Sequence, residues 1–289
     1  MLSKFLEIYS PEELESIQKS FEGPKNICVF INKIKYSVEE FCSDFAALGP
    51  QKMDDFCYLF KAEHRAKLSH SRAFGEGKIY LQNYASYLCA KNLGACKNQS
   101  VLDLCAAPGG KSINLANFMQ NEGYLACVEA HKTRFFTLQK NLKNYGVRAR
   151  IFLKDARSIG ALCPLKFDKI LLDAPCSTLA KIGICTQKSQ KEIRRLSTLQ
   201  KGLLNSALKA LKQGGELIYS TCTFTREENE GVLENALGGN VGFELLELDV
   251  SGVATKDAQS EKYPQLCRAK RILPCLDYDG FFIAKLRRI

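Results

Sequence analysis

Two cysteines stand in short motifs whose residue types can do chemistry: Cys176 in Asp173-Ala174-Pro175-Cys176-Ser177 and Cys222 in Ser220-Thr221-Cys222-Thr223. A thiol is a strong nucleophile once it is ionised and accessible. Each cysteine follows an apolar run that reads as a buried strand, residues 167–173 and 216–221. Both thiols are therefore expected at one rim of a parallel sheet, the rim where open α/β folds bind ligands. A third such strand, residues 100–105, leads into Ala106-Ala107-Pro108-Gly109-Gly110-Lys111 and then a helical stretch. Strand, glycine turn and helix together form a nucleotide-binding unit. The spacing predicts a nucleotide pocket with two thiols beside it.

The elements that must position these groups alternate. Strands are predicted near residues 100–105, 123–129, 149–153, 167–173 and 215–221, separated by helices near 112–121, 132–145 and 190–211. This alternation specifies an α/β fold with a parallel sheet covered on both faces. Thr225-Arg226-Glu227-Glu228 has the spacing of a capping box and predicts a helix to about residue 237, with strands following at 243–248 and 280–286. Residues 250–265, which contain Gly, Ser and Lys, are the candidate mobile loop. Nearer the start, Ser10-Pro11-Glu12-Glu13 and Ser37-Val38-Glu39-Glu40 each predict a capped helix, with a strand over 26–34 between them. The chain divides into a small α+β lobe over 1–75 and a catalytic domain over 76–289.

Composition narrows the class. The chain has 289 residues, of which 46% are hydrophobic, enough for a sizeable core. No apolar run approaches the ~20 residues of a membrane helix and no signal core follows Met1, so a soluble cytoplasmic protein is expected. Thirteen cysteines without a CxxC pair, with only three histidines, predict neither a zinc site nor a disulfide framework, and most of the thiols read as core residues. Of the net charge of +10, +9 lies in residues 101–200. Lys140, Lys143, Arg148, Arg150, Lys154 and Arg157, then Lys181, Lys188, Lys191, Arg194 and Arg195, flank the pocket. A basic rim of this kind suits a polyanion, and a plain solvated surface is the alternative.

The nucleotide is constrained as well. The turn matches neither GxGxxG nor GxxxxGK[ST], which disfavours dinucleotide and P-loop readings. Glu129 ends the second strand, where an acidic side chain can take two ribose hydroxyls, and Asp155 follows the third, on the adenine side. Taken singly, each acid could be a helix cap or a surface charge. Four strand-end features in register point to a nucleotide.

These motifs resemble a known family. Residues 78–289 are similar to S-adenosylmethionine-dependent RNA (cytosine-5)-methyltransferases of the RsmB/Sun/Fmu type, in Gln82-Asn83-Tyr84-Ala85-Ser86 and in residues 101–112, 171–177, 219–230 and 279–286. Residues 26–41 are similar to the small RNA-binding N-lobe of that family. The resemblance implies a Rossmann-like class I methyltransferase fold, with a mostly parallel seven-stranded sheet, helices on both faces and the α+β lobe in front. It implies S-adenosylmethionine bound by Cys105, Ala106, Ala107, Pro108, Gly109, Gly110, Lys111, Glu129, Arg134, Asp155 and Asp173.

It also implies the chemistry. Cys222 adds to carbon 6 of cytosine so that carbon 5 can accept a methyl group, Cys176 resolves the adduct, and Asp173 hydrogen-bonds the ring edge. Lys111 orients the base or lowers the thiol pKa. RNA is the implied partner, rRNA ahead of tRNA, with no metal, no membrane and a monomeric enzyme. Two departures stand out: Thr178-Leu179-Ala180 replaces the glycine usual after Pro-Cys-Ser, so the Cys176 loop is expected to take a different path, and Glu129 stands where Asp is common. Three rivals remain. A DNA-type enzyme would attack with the Pro-Cys thiol, and the Thr-Cys motif argues against it. An amino-group methyltransferase would want an Asn/Asp-Pro-Pro-aromatic turn. An RNA-binding assembly factor would keep the fold without turnover.

Overall fold

The computed structural model describes residues 5–184, 186, 188–239 and 241–289. A small antiparallel sheet comes first, made of β1 (Ile27–Ile31), β2 (Gln51–Lys52), β3 (Cys57–Phe60) and β4 (Ile79–Gln82) in the order β2-β3-β1-β4. β1 is apolar throughout because both of its faces are covered. Ile27, Val29 and Ile31 pack with Phe41, Phe45 and Phe60 inside the lobe, while Cys28 and Phe30 join the core of the larger domain. Both expected N-terminal capping boxes form. Glu13 N donates to Ser10 Oγ (3.2 Å) and Ser10 N to Glu13 Oε2 (2.8 Å); Glu40 N donates to Ser37 Oγ (3.1 Å) and Ser37 N to Glu40 Oε2 (3.0 Å).

The large sheet holds β5 (Ser100–Leu104), β6 (Tyr124–Glu129), β7 (Arg150–Leu153), β8 (Phe167–Asp173), β9 (Leu211–Thr221), β10 (Phe243–Leu246), β11 (Thr255–Asp257), β12 (Lys270–Ile272) and β13 (Phe281–Arg288). Five strands run parallel in the order β7-β6-β5-β8-β9, and β13 adds antiparallel to β9. Alternate residues of the strands face opposite cores, as a strand period of two requires. Val101, Leu125, Leu171 and Ile218 pack against helices Tyr84–Leu93, Gly110–Phe118 and Lys132–Asn144, while Leu102, Ala126, Ile170 and Leu217 pack against Gln190–Ala210 and Glu230–Leu237.

Four expectations are corrected. The sheet has nine strands rather than seven among the described residues, because β11 and β12 pair with each other beside β13, whose same edge also carries β10. That pairing orders part of the supposed mobile loop: Thr255 lies opposite Ile272, and Lys256 Nζ reaches Glu13 Oε2 at 2.7 Å. Thr225 does not open a helix. The helix starts at Glu230, and Glu228 turns into the interior instead. The small sheet also runs past residue 75, since β4 is its edge strand alongside β1. Buried Asn32 ties the two sheets together, donating to Gly77 O (2.7 Å) and Tyr145 O (2.9 Å) and accepting from Asn117 Nδ2 (3.0 Å).

Candidate active site

β5 ends in a turn that only small residues can make. Gly109 has φ +112, and a Cβ there would stand 3.1 Å from Leu138 Cδ1. A Cβ on Gly110 would stand 2.7 Å from Tyr80 Cε1. The turn is therefore clasped between the Lys132–Asn144 helix and β4, and it opens the Gly110–Phe118 helix, whose first amides are free of intrahelical partners. A cleft of about 190 Å³ lies beside it, lined among others by Tyr80, Gln82, Cys105, Pro108, Lys111 and Asp173. Asp103 lines the same cleft from within β5, where burial pushes its carboxyl up to about 7 while Ser112 Oγ donates to it at 2.5 Å. A lone acid inside an apolar strand is its signal in the sequence.

The two acids of the neighbouring strands differ. Glu129, 2% exposed at the end of β6, accepts from His131 N through Oε1 (2.9 Å), but its buried Oε2 has no hydrogen-bond partner. Arg134 Nη1 stands 3.6 Å from that oxygen, and Nη2 of the same side chain donates to Ala107 O at 2.5 Å, so Arg134 links the acid to the glycine turn. Asp155 uses its carboxylate within its own turn. It accepts from Arg157 N (2.9 Å) and receives Arg157 Nε and Nη2 at 3.0 and 2.6 Å.

The thiols meet as expected. Cys176 and Cys222 face each other with Sγ atoms 3.4 Å apart, each just beyond the end of its strand. A hydrogen bond from Cys176 lowers the Cys222 pKa below the usual thiol value against the opposing effect of burial, and Lys181 and Lys111 act in the same direction. The same contact, followed by burial, pushes Cys176 well up. Next to the pair, Lys111 Nζ donates to Asp173 Oδ2 (2.7 Å) and Ser86 Oγ (2.5 Å), while Ser220 Oγ donates to Asp173 Oδ1 (2.9 Å). Burial opposes the charge of Lys111, yet the Asp173 carboxylate holds its pKa above the ordinary value.

What fixes the two loops is Glu228. Fully buried, it accepts from Ser177 N (2.9 Å), Ser177 Oγ, Gln200 Nε2 (3.0 Å) and Thr225 Oγ1 (2.8 Å), and its backbone carbonyl takes the Tyr219 hydroxyl at 2.6 Å. Asn229 donates to Thr223 O (3.0 Å) and accepts from Thr221 Oγ1 (2.6 Å), clamping the other side of Cys222. Spacing in the sequence gives no hint of this role, since Thr-x-x-Glu reads as a helix start. Thr178 stands where the family has glycine. It has φ +59 and ψ 18, the left-handed conformation that glycine adopts freely, with a β-branched residue in it.

Residues 90–287 match the family described as 16S rRNA methyltransferase RsmB/F. Ribosomal RNA small subunit methyltransferase F of Vibrio cholerae is 32% identical over 297 residues, covering 96% of this chain and 61% of its own. The tRNA (cytosine(72)-C(5))-methyltransferase of Pyrococcus horikoshii is 33% identical over 224 residues, covering 77% and 55%. This chain spans about 60% of the length of the curated relatives it matches. Among solved structures, a methyltransferase homolog protein from Pyrococcus horikoshii has a TM-score of 0.80 at 30% identity, covering 97% of this chain and 100% of that one. NSun6 from the same organism, crystallised with SFG, has a TM-score of 0.85 at 22% identity, covering 99% and 97%, a likeness of fold.

Proposed function

The chain belongs to the 16S rRNA methyltransferase RsmB/F family, and from that membership we propose that it methylates carbon 5 of cytosine in RNA through a covalent adduct with Cys222. The observation that carries the proposal is the 3.4 Å contact of two thiols beside the Asp173–Lys111 pair.

The residues around the glycine turn fit S-adenosylmethionine. Glu129 Oε2, buried and without a hydrogen-bond partner, is an acceptor for ribose hydroxyls, and a buried acceptor left unpaired is costly. The turn from Cys105 to Lys111, with Glu129, Arg134 and Asp173, would hold the cofactor, and Asp155 would join by exchanging its contacts with Arg157. Bound there, S-adenosylmethionine supplies the electrophilic methyl group that carbon 5 accepts.

The chain's own residues do the rest. The Cys222 thiolate adds to carbon 6 and pushes electron density to carbon 5. Asp173 accepts from the exocyclic amine and Lys111 donates to a ring acceptor, so the charge that develops on addition meets a fixed, opposed pair. After methyl transfer the carbon 5 proton passes to a solvent water acting as base, its bonding electrons re-form the 5,6 double bond, and the carbon–sulfur bond breaks so that Cys222 leaves as the thiolate. Cys176, 3.4 Å from the departing sulfur, steadies the thiolate as it forms by a hydrogen bond from its S–H and keeps its own proton. The lowered pKa of Cys222 favours it as the nucleophile over the DNA-type assignment to Cys176.

The substrate we propose is rRNA, on the family description and the Vibrio relative. Residues 1–75 with β4 form the RNA-binding lobe, and the basic stretch 101–200 supplies the phosphate contacts. Bisulfite sequencing of rRNA and tRNA, with and without the gene, tests this. One rRNA cytosine should lose its mark. Loss confined to tRNA would move the substrate, and no loss in either RNA would favour an assembly factor.

A further inference from the structure

Two thiols in contact do not ionise together, and whichever does so first determines which sulfur attacks. We propose that two side chains beyond the implied catalytic set make that choice: Lys181 holds Cys222 as the thiolate, and Glu228 keeps Cys176 protonated. The inference rests on the proposed adduct chemistry for its consequence, but not for its physics.

The geometry is asymmetric. Glu228 lies on the Cys176 side. Its carboxylate takes the backbone N–H of Ser177, the residue next to Cys176, and every hydrogen bond it accepts comes from a neutral donor. No Lys or Arg pairs with it among the described residues, so its charge is spread by hydrogen bonds and cancelled by none. Lys181 lies on the Cys222 side. It belongs to the short helix Leu179–Ile182, which is tied to Cys222 by the bond from Ala180 N to Cys222 O at 3.1 Å, and it lines the cleft. Its ammonium has no ion pair among the described residues.

The remaining neighbours do not reverse the asymmetry. Cys222 faces Cys176, Lys181, Asp173, Lys111 and Cys89. Asp173 disfavours a thiolate, but Lys111 pairs with it at 2.7 Å; Asp279 also faces Lys181, yet its ion pair, at 3.7 Å, is with Lys25, which leaves Lys181 without one among the described residues. Cys176 faces Cys222, Glu228 and the hydroxyl of Tyr219, and the Thr178 N–H, which favours its thiolate, is outweighed by the Cys222 contact and burial. The opposite shifts of the two thiols agree with this arrangement.

The test needs neither RNA nor methyl donor, so an inactive preparation leaves it valid, and methyl transfer is judged separately. The full chain is alkylated with iodoacetamide across a pH series, and the Cys176 and Cys222 peptides are quantified by mass spectrometry. In the unaltered chain Cys222 should react at the lower pH. Lys181→Met should move the Cys222 midpoint upward and slow its alkylation at pH 7 by roughly threefold or more, and Lys181→Glu should slow it further. Glu228→Gln should move the Cys176 midpoint downward. Lys181 is exposed, so its variants keep the fold and decide the matter even if Glu228→Gln does not fold. A Cys222 midpoint unchanged in Lys181→Glu would overturn the proposal, as would a Cys176 midpoint unchanged in folded Glu228→Gln.

Discussion

Two glutamates are buried at the same rim of the sheet and are treated in opposite ways. Glu228, under the thiols, accepts hydrogen bonds from Ser177, Gln200 and Thr225 and is satisfied within the chain. Glu129, at the end of β6, keeps one oxygen buried without a hydrogen bond, with Arg134 3.6 Å away. A carboxylate enclosed by its own protein fixes its surroundings, whereas one with an unmatched oxygen is completed by a donor from outside. The thiol half of the rim is thus built for position, and the glycine-turn half for binding.

The largest effect that can break this comparison is on the thiols. Cys222→Ala should lower methyl transfer at least ~1,000-fold while cofactor affinity stays within about twofold. Cys176→Ala should instead accumulate an enzyme–RNA adduct that survives a denaturing gel. An adduct formed only by Cys222→Ala would exchange the two roles.

Removing the glutamates measures the contrast itself. Glu228→Ala removes the acceptor of five buried hydrogen bonds and should cost about 3–5 kcal/mol in denaturant unfolding. Glu129→Gln should change stability by less than about 1 kcal/mol yet weaken S-adenosylmethionine binding roughly tenfold in calorimetry, since a neutral amide holds ribose hydroxyls less firmly. Equal losses of stability would erase the distinction. The smallest effect tests strain on the thiol side. Thr178→Gly should stabilise the chain by about 0.5–1 kcal/mol, because a β-branched residue at φ +59 pays sterically for a conformation glycine adopts freely.

Much of this was legible in the sequence because its signals are local. Apolar strand periods located β5, β6, β8 and β9, and strand-end position alone brought Cys176 and Cys222 to one rim. What stayed hidden depends on tertiary partners. Thr225-Arg226-Glu227-Glu228 has the same spacing whether Glu228 caps a helix or turns inward to Ser177 and Gln200, and only the fold distinguishes them. β11 is three residues with no apolar alternation, so pairing with β12 rather than propensity makes it a strand. Lys181 read as one charge of a basic rim, since nothing along the chain places it beside residue 222.

The edge strand β4 belongs to the small sheet, yet its Tyr80 packs on Gly110 and its Gln82 lines the cleft. The lobe is therefore no detachable module. In a chimera between relatives, a seam at residue 75 would leave the donor lobe without its outer strand and set a foreign tyrosine against the turn. A seam after residue 82 carries the strand but must also match the glycine it covers. Lobe and turn should diverge together, so recombination that respects the fold is confined to exchanges that take both.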